Sequence, residues 1–224
     1  MLSFTQVNLH KTAQATLLLG REMEGKTQSI AFITEPHTVQ GKVTGLPGGT
    51  VSIATRTQGT GAAPRAAIIA SRDLRLNEMT NLCTRDCAVA SAKLHGRLVL
   101  LASIYLDINK PVVQEWLTRI MDTASRLGRP IILAIDSNAH SSMYGPDSNA
   151  RGDQIEDFVL QHGLEIHNTG DAPTFEVRRG NVMVQTHIDI TLSRDLHFNV
   201  ENWRLTDHTM PLITIHSGLK AYPP

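Results

Sequence analysis

The sequence has only two cysteines, no long apolar run and no excess of charge, and each of these absences excludes a class of protein. No apolar stretch in the 224 residues approaches the roughly 20 residues that a membrane-spanning helix needs. Cys83 and Cys87 lie four apart, with neither a second pair nor a histidine at zinc-site spacing, which indicates helical neighbours or free core thiols in a reducing compartment. The start, MLSFTQVNLHK, lacks a basic start followed by an apolar segment, so we expect no secretory signal.

The charge balance restricts how the chain can contact nucleic acid. Lys plus Arg and Asp plus Glu both number 21, so the formal net charge is zero. A protein that coats nucleic acid non-specifically carries a large excess of basic residues, whereas an enzyme that binds DNA through a local patch does not need one. The hydrophobic fraction of 41% and the charged fraction of 19% are typical of a globular protein, and the length fits one large α/β or two-sheet domain.

The order of apolar patterns predicts strands with helices inserted in each half of the chain. The segment 37–50 is rich in Gly and Thr and is predicted as loop, while the continuous apolar run 130–136 predicts a strand buried on both faces. Because a short break at 95–96 indicates a hairpin, we favour two packed mixed sheets flanked by helices over one all-parallel sheet. The predicted helices are 11–25, 111–127 (Pro111 at its start and Gly128 just past its end) and 153–163, and the predicted strands are 3–9, 28–34, 66–71, 86–94, 97–107, 130–136, 164–168, 173–177, 181–193, 197–205 and 210–216.

Polar residues stand where several of these apolar runs stop. The stretch 133–145, LAIDSNAHSSMYG, leads from a buried strand into Asp136, Asn138 and His140. Taken singly, such residues are turn formers, helix caps or solvated side chains. Taken together they predict a functional site, because catalytic groups sit on loops that rigid strand ends position. The other members of the set are Asn8, Glu35, Tyr105, Asp189, Asp207 and His208.

This set can supply the chemistry of phosphodiester hydrolysis, which needs a divalent cation on hard oxygen ligands, a base for water and stabilisation of charge on the phosphate. Glu35 and Asp207 suit a Mg²⁺ ion, and Asp136 suits a group that orients or deprotonates water. His208, oriented by Asp189, suits a donor to a phosphate oxygen. Neutral hydrogen bonds would come from Asn8, Asn138 and Tyr105.

The same residues carry a resemblance to a known superfamily. The motifs QVNLHK, ITEPH, SIYLD, AIDSNAHS, HIDITLS and TDH, in this order and spacing, resemble the metal-dependent endonuclease/exonuclease/phosphatase superfamily. Three further stretches, NLHKTAQA, DSNAHSSMYG and NARGDQIEDFVLQHGLEIHNTGDAPTF, are similar to the apurinic-like endonuclease domain of non-LTR retrotransposons. The resemblance extends from about Gln6 to Ile215.

This resemblance implies a fold and a set of roles. The fold is an α/β, four-layer αββα sandwich of two mixed β-sheets flanked by helices. The implied roles are metal ligand for Glu35, metal ligand or metal-proximal carboxylate for Asp207, base for Asp136, phosphate ligand for Asn138, transition-state donor for His208 paired with Asp189, and phosphate-side or acid-orienting residues for Tyr105, Asn8 and, more weakly, Thr174. In two places the sequence departs from the family pattern, with Thr206 in place of the usual serine and Tyr144 in place of a common tryptophan, and His140 receives no role.

The resemblance also implies partners. We expect 1–224 to be a single endonuclease domain from a longer polyprotein, with a reverse transcriptase downstream. It would use Mg²⁺, with Mn²⁺ as a substitute, to nick double-stranded DNA in the nucleus and leave a 3′-hydroxyl that can prime reverse transcription. The alternatives are an apurinic/apyrimidinic repair endonuclease, a phosphoinositide or sphingolipid phosphodiesterase of the same superfamily, and a catalytically inactive DNA-binding module.

The segment 174–186, TFEVRRGNVMVQT, is the candidate for reading DNA. Apolar residues alternate on either side of Arg178-Arg179-Gly180-Asn181, which predicts a β-hairpin with a basic tip. In the resembled family a hairpin at this place reaches into a DNA groove. The alternative is a solvated turn whose arginines only keep a sheet edge soluble.

Overall fold

The computed structural model describes residues 2–45, 50–54, 62–205 and 213–219. Within these ranges the helices are α1 (Ala13–Met23), α2 (Glu115–Arg126) and α3 (Ala150–His162). The strands are β1 (Ser3–Asn8), β2 (Ser29–Thr34), β3 (Thr38–Val39), β4 (Lys42–Val43), β5 (Thr50–Ala54), β6 (Ala66–Ser71), β7 (Leu76–Glu78), β8 (Cys87–Leu94), β9 (Arg97–Tyr105), β10 (Ile131–Asp136), β11 (Glu165–Ile166), β12 (Phe175–Arg179), β13 (Val182–Thr186), β14 (Asp189–Arg194), β15 (Phe198–Leu205) and β16 (Ile213–Leu219).

Two six-stranded sheets form the body of the fold. Sheet 1 has the order β15-β16-β1-β2-β6-β5, and sheet 2 has the order β11-β14-β10-β9-β8-β7. Each sheet is mixed, because β1 is parallel to β2 and β9 is parallel to β10 while their other neighbours are antiparallel. The pairs β3–β4 and β12–β13 form two small separate hairpins.

Four layers follow from which faces of these elements are apolar. Helix α1 packs Leu19 against the outer face of sheet 1, and α2 and α3 pack on the outer face of sheet 2 through residues such as Ile120 and Phe158. Between the sheets lies a third apolar cluster that includes Phe4 from β1 and Ile132 from β10. The expected αββα sandwich of two mixed sheets is therefore confirmed, with β10 buried along its whole length.

The strand directions bring one edge of each sheet together. The parallel pairs β1–β2 and β9–β10 end on Asn8, Thr34, Tyr105 and Asp136. Because side chains alternate along a strand, Asn8 shares the inward face with Phe4, and Asp136 shares it with Ala134. These polar ends therefore point into the gap between the sheets.

The structure corrects the helix boundaries at two places. The helix expected to start at Pro111 begins at Glu115, because Gln114 has the extended conformation of an N-cap and Val112 is instead buried in the core. The helix expected to start at 153 begins three residues earlier, because the side chain of Asn149 caps it.

The strand pattern also differs from the prediction in detail. The segment 37–50 contains the short strands β3 and β4 rather than loop alone, and β5 and β7 were not predicted. The run 181–193 divides into β13 and β14, because β13 pairs with β12 whereas β14 joins sheet 2. The cysteines are free, and Cys83 lies outside the helices, where its sulfur accepts a hydrogen bond from the backbone N–H of Val89. In the described ranges no helix has the length and apolarity to cross a membrane.

Candidate active site

A cavity of about 370 Å³ opens at the edge where the polar strand ends meet. It has a polar side and an apolar side, the latter formed by Ile108, Phe175, Val184 and Ile188. The sequence-predicted residues that line it are Asn8, Glu35, Tyr105, Asp136, Asn138 and His140.

Asp136 is the most buried acid of this group, with 1% of its surface exposed. Its Oδ2 accepts a hydrogen bond of 2.8 Å from Asn8 Nδ2 and one of 3.3 Å from Thr34 Oγ1. Its Oδ1 is buried and forms no hydrogen bond of standard geometry with the described residues, although the backbone N–H of Asn138 lies near enough to the carboxyl to lower its pKa. One oxygen is thus fixed by sheet 1, and the other is left for a group outside the described residues.

The surroundings of Asp136 favour its protonated form. Burial raises the pKa of the carboxyl from 3.8 to about 6, the Asn8 hydrogen bond opposes this, and the nearby charge of Glu35 adds to it. An acid tuned upward in a cleft is a common property of catalytic bases, because it accepts a proton near neutral pH.

Glu35 follows β2 directly and is held in an unusual conformation. Its φ is 46°, a left-handed value that costs a non-glycine residue of the order of 1 kcal/mol, and its N–H donates to the Arg65 carbonyl at 2.9 Å. Its carboxylate pairs with Lys11 at 3.0 Å. Backbone strain of this kind is found at functional sites, and Asn138 has the same φ of 46°.

Tyr105 ends β9 and is fixed by a buried arginine. The Arg65 guanidinium lies 4.5 Å from the centre of the Tyr105 ring and is itself held by Asp86 at 2.6 Å and Asp107 at 2.9 Å. Burial raises the pKa of the Tyr105 phenol, and the charges of Glu35 and Asp136 raise it further. The phenol therefore stays protonated at neutral pH and can donate a hydrogen bond into the cavity.

Asn138 and His140 lie on the loop after β10. The Asn138 side-chain amide donates to the Leu106 carbonyl at 3.1 Å, which ties this loop to the one that follows Tyr105. The backbone N–H of His140 approaches Asn149 Oδ1 at 3.4 Å, and His140 lines the cavity.

Asp189 lies directly opposite Asp136 in the pairing of β14 with β10. Burial and the neighbouring Asp136 charge raise the pKa of its carboxyl well above the ordinary range. Gln6, which the sequence interpretation missed, approaches Asp189 Oδ1 at 3.5 Å and donates to the Ile135 carbonyl at 3.2 Å. The signal was available, because Gln6 is a polar residue on the inward face of an apolar strand.

Thr174 lies beside the cavity rather than in its wall. Its hydroxyl oxygen accepts hydrogen bonds of 3.0 Å from the backbone N–H groups of Ile188 and Asp189, and it lines a smaller adjoining cleft with Gln6 and Asn8. In this arrangement Thr174 fixes the start of β14.

Asp207 and His208, together with Thr206, fall outside the described residues. The strands that flank them end and start at Leu205 and Ile213, which pair with each other, and Ile213 also pairs with Gln6. Their roles remain predictions.

The hairpin predicted at 174–186 is present as β12 and β13, joined by Gly180 and Asn181. Gly180 has a φ of 61°, which glycine adopts without steric cost. The base of the hairpin reaches the cavity through Phe175, and its far end exposes Arg178 and Met183. The structure does not describe the side chain of Arg179.

The described donors fit a hard cation. Mg²⁺ in proteins is held by one or two carboxylates, with waters and phosphate oxygens completing its shell, and Glu35 offers a carboxylate beside the unpartnered buried oxygen of Asp136. Within the described ranges no three His, Cys, Asp or Glu side chains cluster as a metal-binding group. Glu35 and Asp136 are therefore the described carboxylates that could hold a divalent cation at this cavity.

The sequence of residues 99–211, half of the chain, matches the family model described as endonuclease-reverse transcriptase. The chain belongs to the endonuclease-reverse transcriptase family. The expected resemblance to non-LTR retrotransposon endonucleases is confirmed by this match and by the relatives below.

Known relatives of this member of the endonuclease-reverse transcriptase family include retrotransposon proteins. A 115 kDa protein of the type-1 retrotransposable element R1DM of Drosophila melanogaster is 24% identical over 234 residues, covering 94% of this chain and 21% of that protein. The chain thus spans about a fifth of its curated relative. The endonuclease domain of TRAS1, a telomere-specific non-LTR retrotransposon, superposes with a TM-score of 0.76 at 26% identity, covering 99% and 100% of the two chains.

A more distant structure shows the fold alone. An endonuclease/exonuclease/phosphatase family protein from Bacteroides thetaiotaomicron has a TM-score of 0.67 at 14% identity, with 96% of each chain covered. This endonuclease-reverse transcriptase family member therefore has the endonuclease/exonuclease/phosphatase fold.

Proposed function

We propose that this chain is a metal-dependent endonuclease that nicks one strand of double-stranded DNA and leaves a 3′-hydroxyl able to prime reverse transcription. The observation that carries the proposal is the arrangement of Asp136, whose one oxygen is fixed by Asn8 and whose other oxygen is unpartnered among the described residues. It shares a cavity with Glu35 and Tyr105. A carboxylate in this state can orient an attacking water and accept its proton.

The other side chains have roles around the phosphate in this proposal. Asn138 and Tyr105 would donate hydrogen bonds to phosphate oxygens, and His208, paired with Asp189, would donate to the charge that develops there. Glu35 and Asp207 would hold the metal. When bound, a divalent cation offsets negative charge on the phosphate and so supplies Lewis-acid stabilisation.

Two substrates test the proposed activity directly. We expect the purified chain to convert supercoiled plasmid to open circles, with 3′-hydroxyl ends that a polymerase can extend. An oligonucleotide duplex with one abasic site is the comparison substrate. Cleavage confined to the abasic duplex, or ends that cannot be extended, would contradict the proposal and favour a repair endonuclease.

The wider setting is also proposed. The chain aligns with only 21% of the R1DM protein, and its family is described as endonuclease-reverse transcriptase. We therefore propose that residues 1–224 are one endonuclease domain of a longer polyprotein, that a reverse transcriptase follows it, and that nicking takes place in the nucleus. A full-length transcript without a downstream reverse transcriptase frame would contradict the domain arrangement.

Metal removal should abolish nicking. We expect exhaustive treatment with EDTA to reduce the activity to background, and added Mg²⁺ or Mn²⁺ to restore it, because the candidate ligands are oxygens. Zinc should restore less, since no described thiolate or histidine cluster is available to bind it. Full activity after EDTA would falsify the metal mechanism.

The hairpin β12–β13 should determine where the DNA is cut. Because the net charge is zero, general attraction to phosphate is weak, and we expect Arg178 and Arg179 to contact base edges or a narrow minor groove. Replacing both with Ala should alter or flatten the preference for cleavage sites more than it changes the rate on non-specific plasmid. The measurement is a map of nick positions along a long duplex.

The matched control removes two positive charges at the end of sheet 1 that lies away from the cavity. Arg72 and Arg75 are exposed and follow β6, whose end pairs near the start of β2 and not near the cavity. The R72A/R75A double variant should keep the parental map. An unchanged map for R178A/R179A, or an equal change in both double variants, would mean that the hairpin is ordinary surface.

A further inference from the structure

A partly buried arginine bridges the two loops that carry candidate active-site residues. Arg151, the second residue of α3, donates from Nε to the Ser137 carbonyl at 3.2 Å and from Nη1 to the Lys110 carbonyl at 2.6 Å. Its Nη2 donates to the carbonyls of Leu106 at 3.3 Å and Asp107 at 3.0 Å. Four backbone carbonyls are thus held by one guanidinium, and among the described residues no carboxylate lies within ion-pair distance of it.

These carbonyls belong to the loops 106–110 and 137–141, here called the two site loops. The first loop follows Tyr105 and the second follows Asp136. The loops also contact each other at Leu106, whose carbonyl accepts from both Arg151 and the Asn138 amide and whose N–H donates to the Asp136 carbonyl at 2.9 Å. A displacement of Leu106 would therefore change the position of the Asn138 side chain directly.

The start of α3 is itself fixed against the second site loop. Asn149 Oδ1 accepts hydrogen bonds from the N–H groups of Arg151 at 3.1 Å and Gly152 at 2.8 Å, and the Asn149 N–H donates to the His140 carbonyl at 3.0 Å. Helix and loop approach so closely that a Cβ on Gly152 would lie 1.6 Å from the His140 oxygen. The Arg151 guanidinium is thus placed by a rigid helix terminus and not by a mobile loop.

We propose that Arg151 is a positioning residue that holds Asn138 and Tyr105 in the geometry required for nicking, acting through the carbonyls of the two site loops. The inference rests on the proposed endonuclease function. A planar guanidinium with several donors can serve these divergent carbonyls at once, whereas a lysine ammonium has three donors at a single point. Arg151 is not one of the residues that line the cavity, so its effect on nicking would be indirect.

The test compares R151A, R151K and the parent in plasmid nicking, with kcat and KM measured separately. We expect R151A to lower kcat about 30- to 100-fold and to change KM by less than about threefold, since misplaced catalytic groups affect the transition state more than binding. Guanidinium ion, added below the concentration that unfolds the parent, should raise the kcat of R151A at least about tenfold. It should leave the kcat of the parent unchanged. R151K should recover only part of the rate.

R194A is the matched control for general loss of structure. Arg194 also donates to a backbone carbonyl, that of His162 at 3.2 Å, but it lies at the opposite end of sheet 2, beside Ile131. Melting temperatures of all variants accompany the rates. The inference is overturned if R151A keeps the parental kcat, if R194A with a similar drop in melting temperature loses as much kcat, or if guanidinium gives no recovery.

Two outcomes keep this test separate from that of the proposed function. An inactive parent would contradict the endonuclease proposal itself, before Arg151 is considered. If R151A does not fold, R151K decides, because full parental activity in R151K would show that a positive charge suffices and that the bridging geometry is unnecessary.

Discussion

Asp136→Asn should lower the rate of plasmid nicking by about 10³-fold or more while the fold stays intact. Asparagine has nearly the same shape and can still accept the hydrogen bond that Asn8 donates to Oδ2, but it cannot accept a proton from water. General bases contribute about 10²- to 10⁴-fold to rates. The measurement is the initial rate of open-circle formation, with circular dichroism to check the fold.

His208→Ala should cause a loss of the same order, because it removes the proposed donor to the developing charge on the phosphate. Asp157→Asn is the matched control, since Asp157 is an exposed carboxylate on α3 and its loss should leave the rate unchanged. If folded Asp136→Asn nicks plasmid at the parental rate, Asp136 is not the general base. Parental nicking by folded His208→Ala would show that the role given to His208 is wrong.

The sequence predicted the layered fold, because the fold follows from local patterns, whereas the functional site stays a prediction. Apolar runs marked the strands, and polar residues at their ends marked the edge where Asn8, Glu35, Tyr105, Asp136 and Asn138 line one cavity. Alternation along the strands even determines that Asn8 and Asp136 share the gap between the sheets. The start of α2 was placed wrongly, since Pro111 is a typical first helical residue, whereas here Val112 is buried in the core instead.

The contacts that the sequence could not predict are those between elements far apart in the chain. The Asn8–Asp136 hydrogen bond joins residues 128 positions apart, and its length depends on how the two sheets stack. No sequence pattern predicts that Arg151 binds backbone carbonyls or that Arg65 packs on a tyrosine ring. Gln6 is the exception, because its polar side chain on an inward apolar face required a partner between the sheets.

Asp136→Asn should also make the metal-free protein more stable at neutral pH, by up to about 3 kcal/mol. Burial raises the pKa of the Asp136 carboxyl from 3.8 to about 6, and a difference of one in pKa corresponds to about 1.4 kcal/mol. The native state therefore carries the cost of an ionised buried carboxylate that asparagine does not have. Asp189→Asn should act in the same direction, because burial and Asp136 raise the pKa of that carboxyl too.

The sign of the pH dependence follows from proton binding. Below about pH 3 the carboxyl is protonated in both states, so Asp136 costs almost no stability there. Between about pH 3 and 6 the unfolded chain releases the proton while the native state keeps it, so the free energy of unfolding of the parent falls as pH rises. Above about pH 6 both states are ionised and the full cost is present. The difference in the free energy of unfolding between Asp136→Asn and parent should therefore be near zero at about pH 3 and constant above about pH 7.

The measurement is urea unfolding of parent and variant in EDTA, so that no cation offsets the carboxylate charge. Asp107→Asn is the control of opposite sign. The backbone N–H of Asn109 and the Arg65 side chain lower the pKa of the Asp107 carboxyl to about 2, so this variant should be less stable than the parent at pH 7. A buried acid kept at a cost in stability is expected where function requires the ionised form. The result that contradicts this prediction is an Asp136→Asn variant no more stable than the parent at pH 7.5, while Asp107→Asn is destabilised as expected. It would show that the ionised Asp136 carboxylate does not lower the stability of the native state.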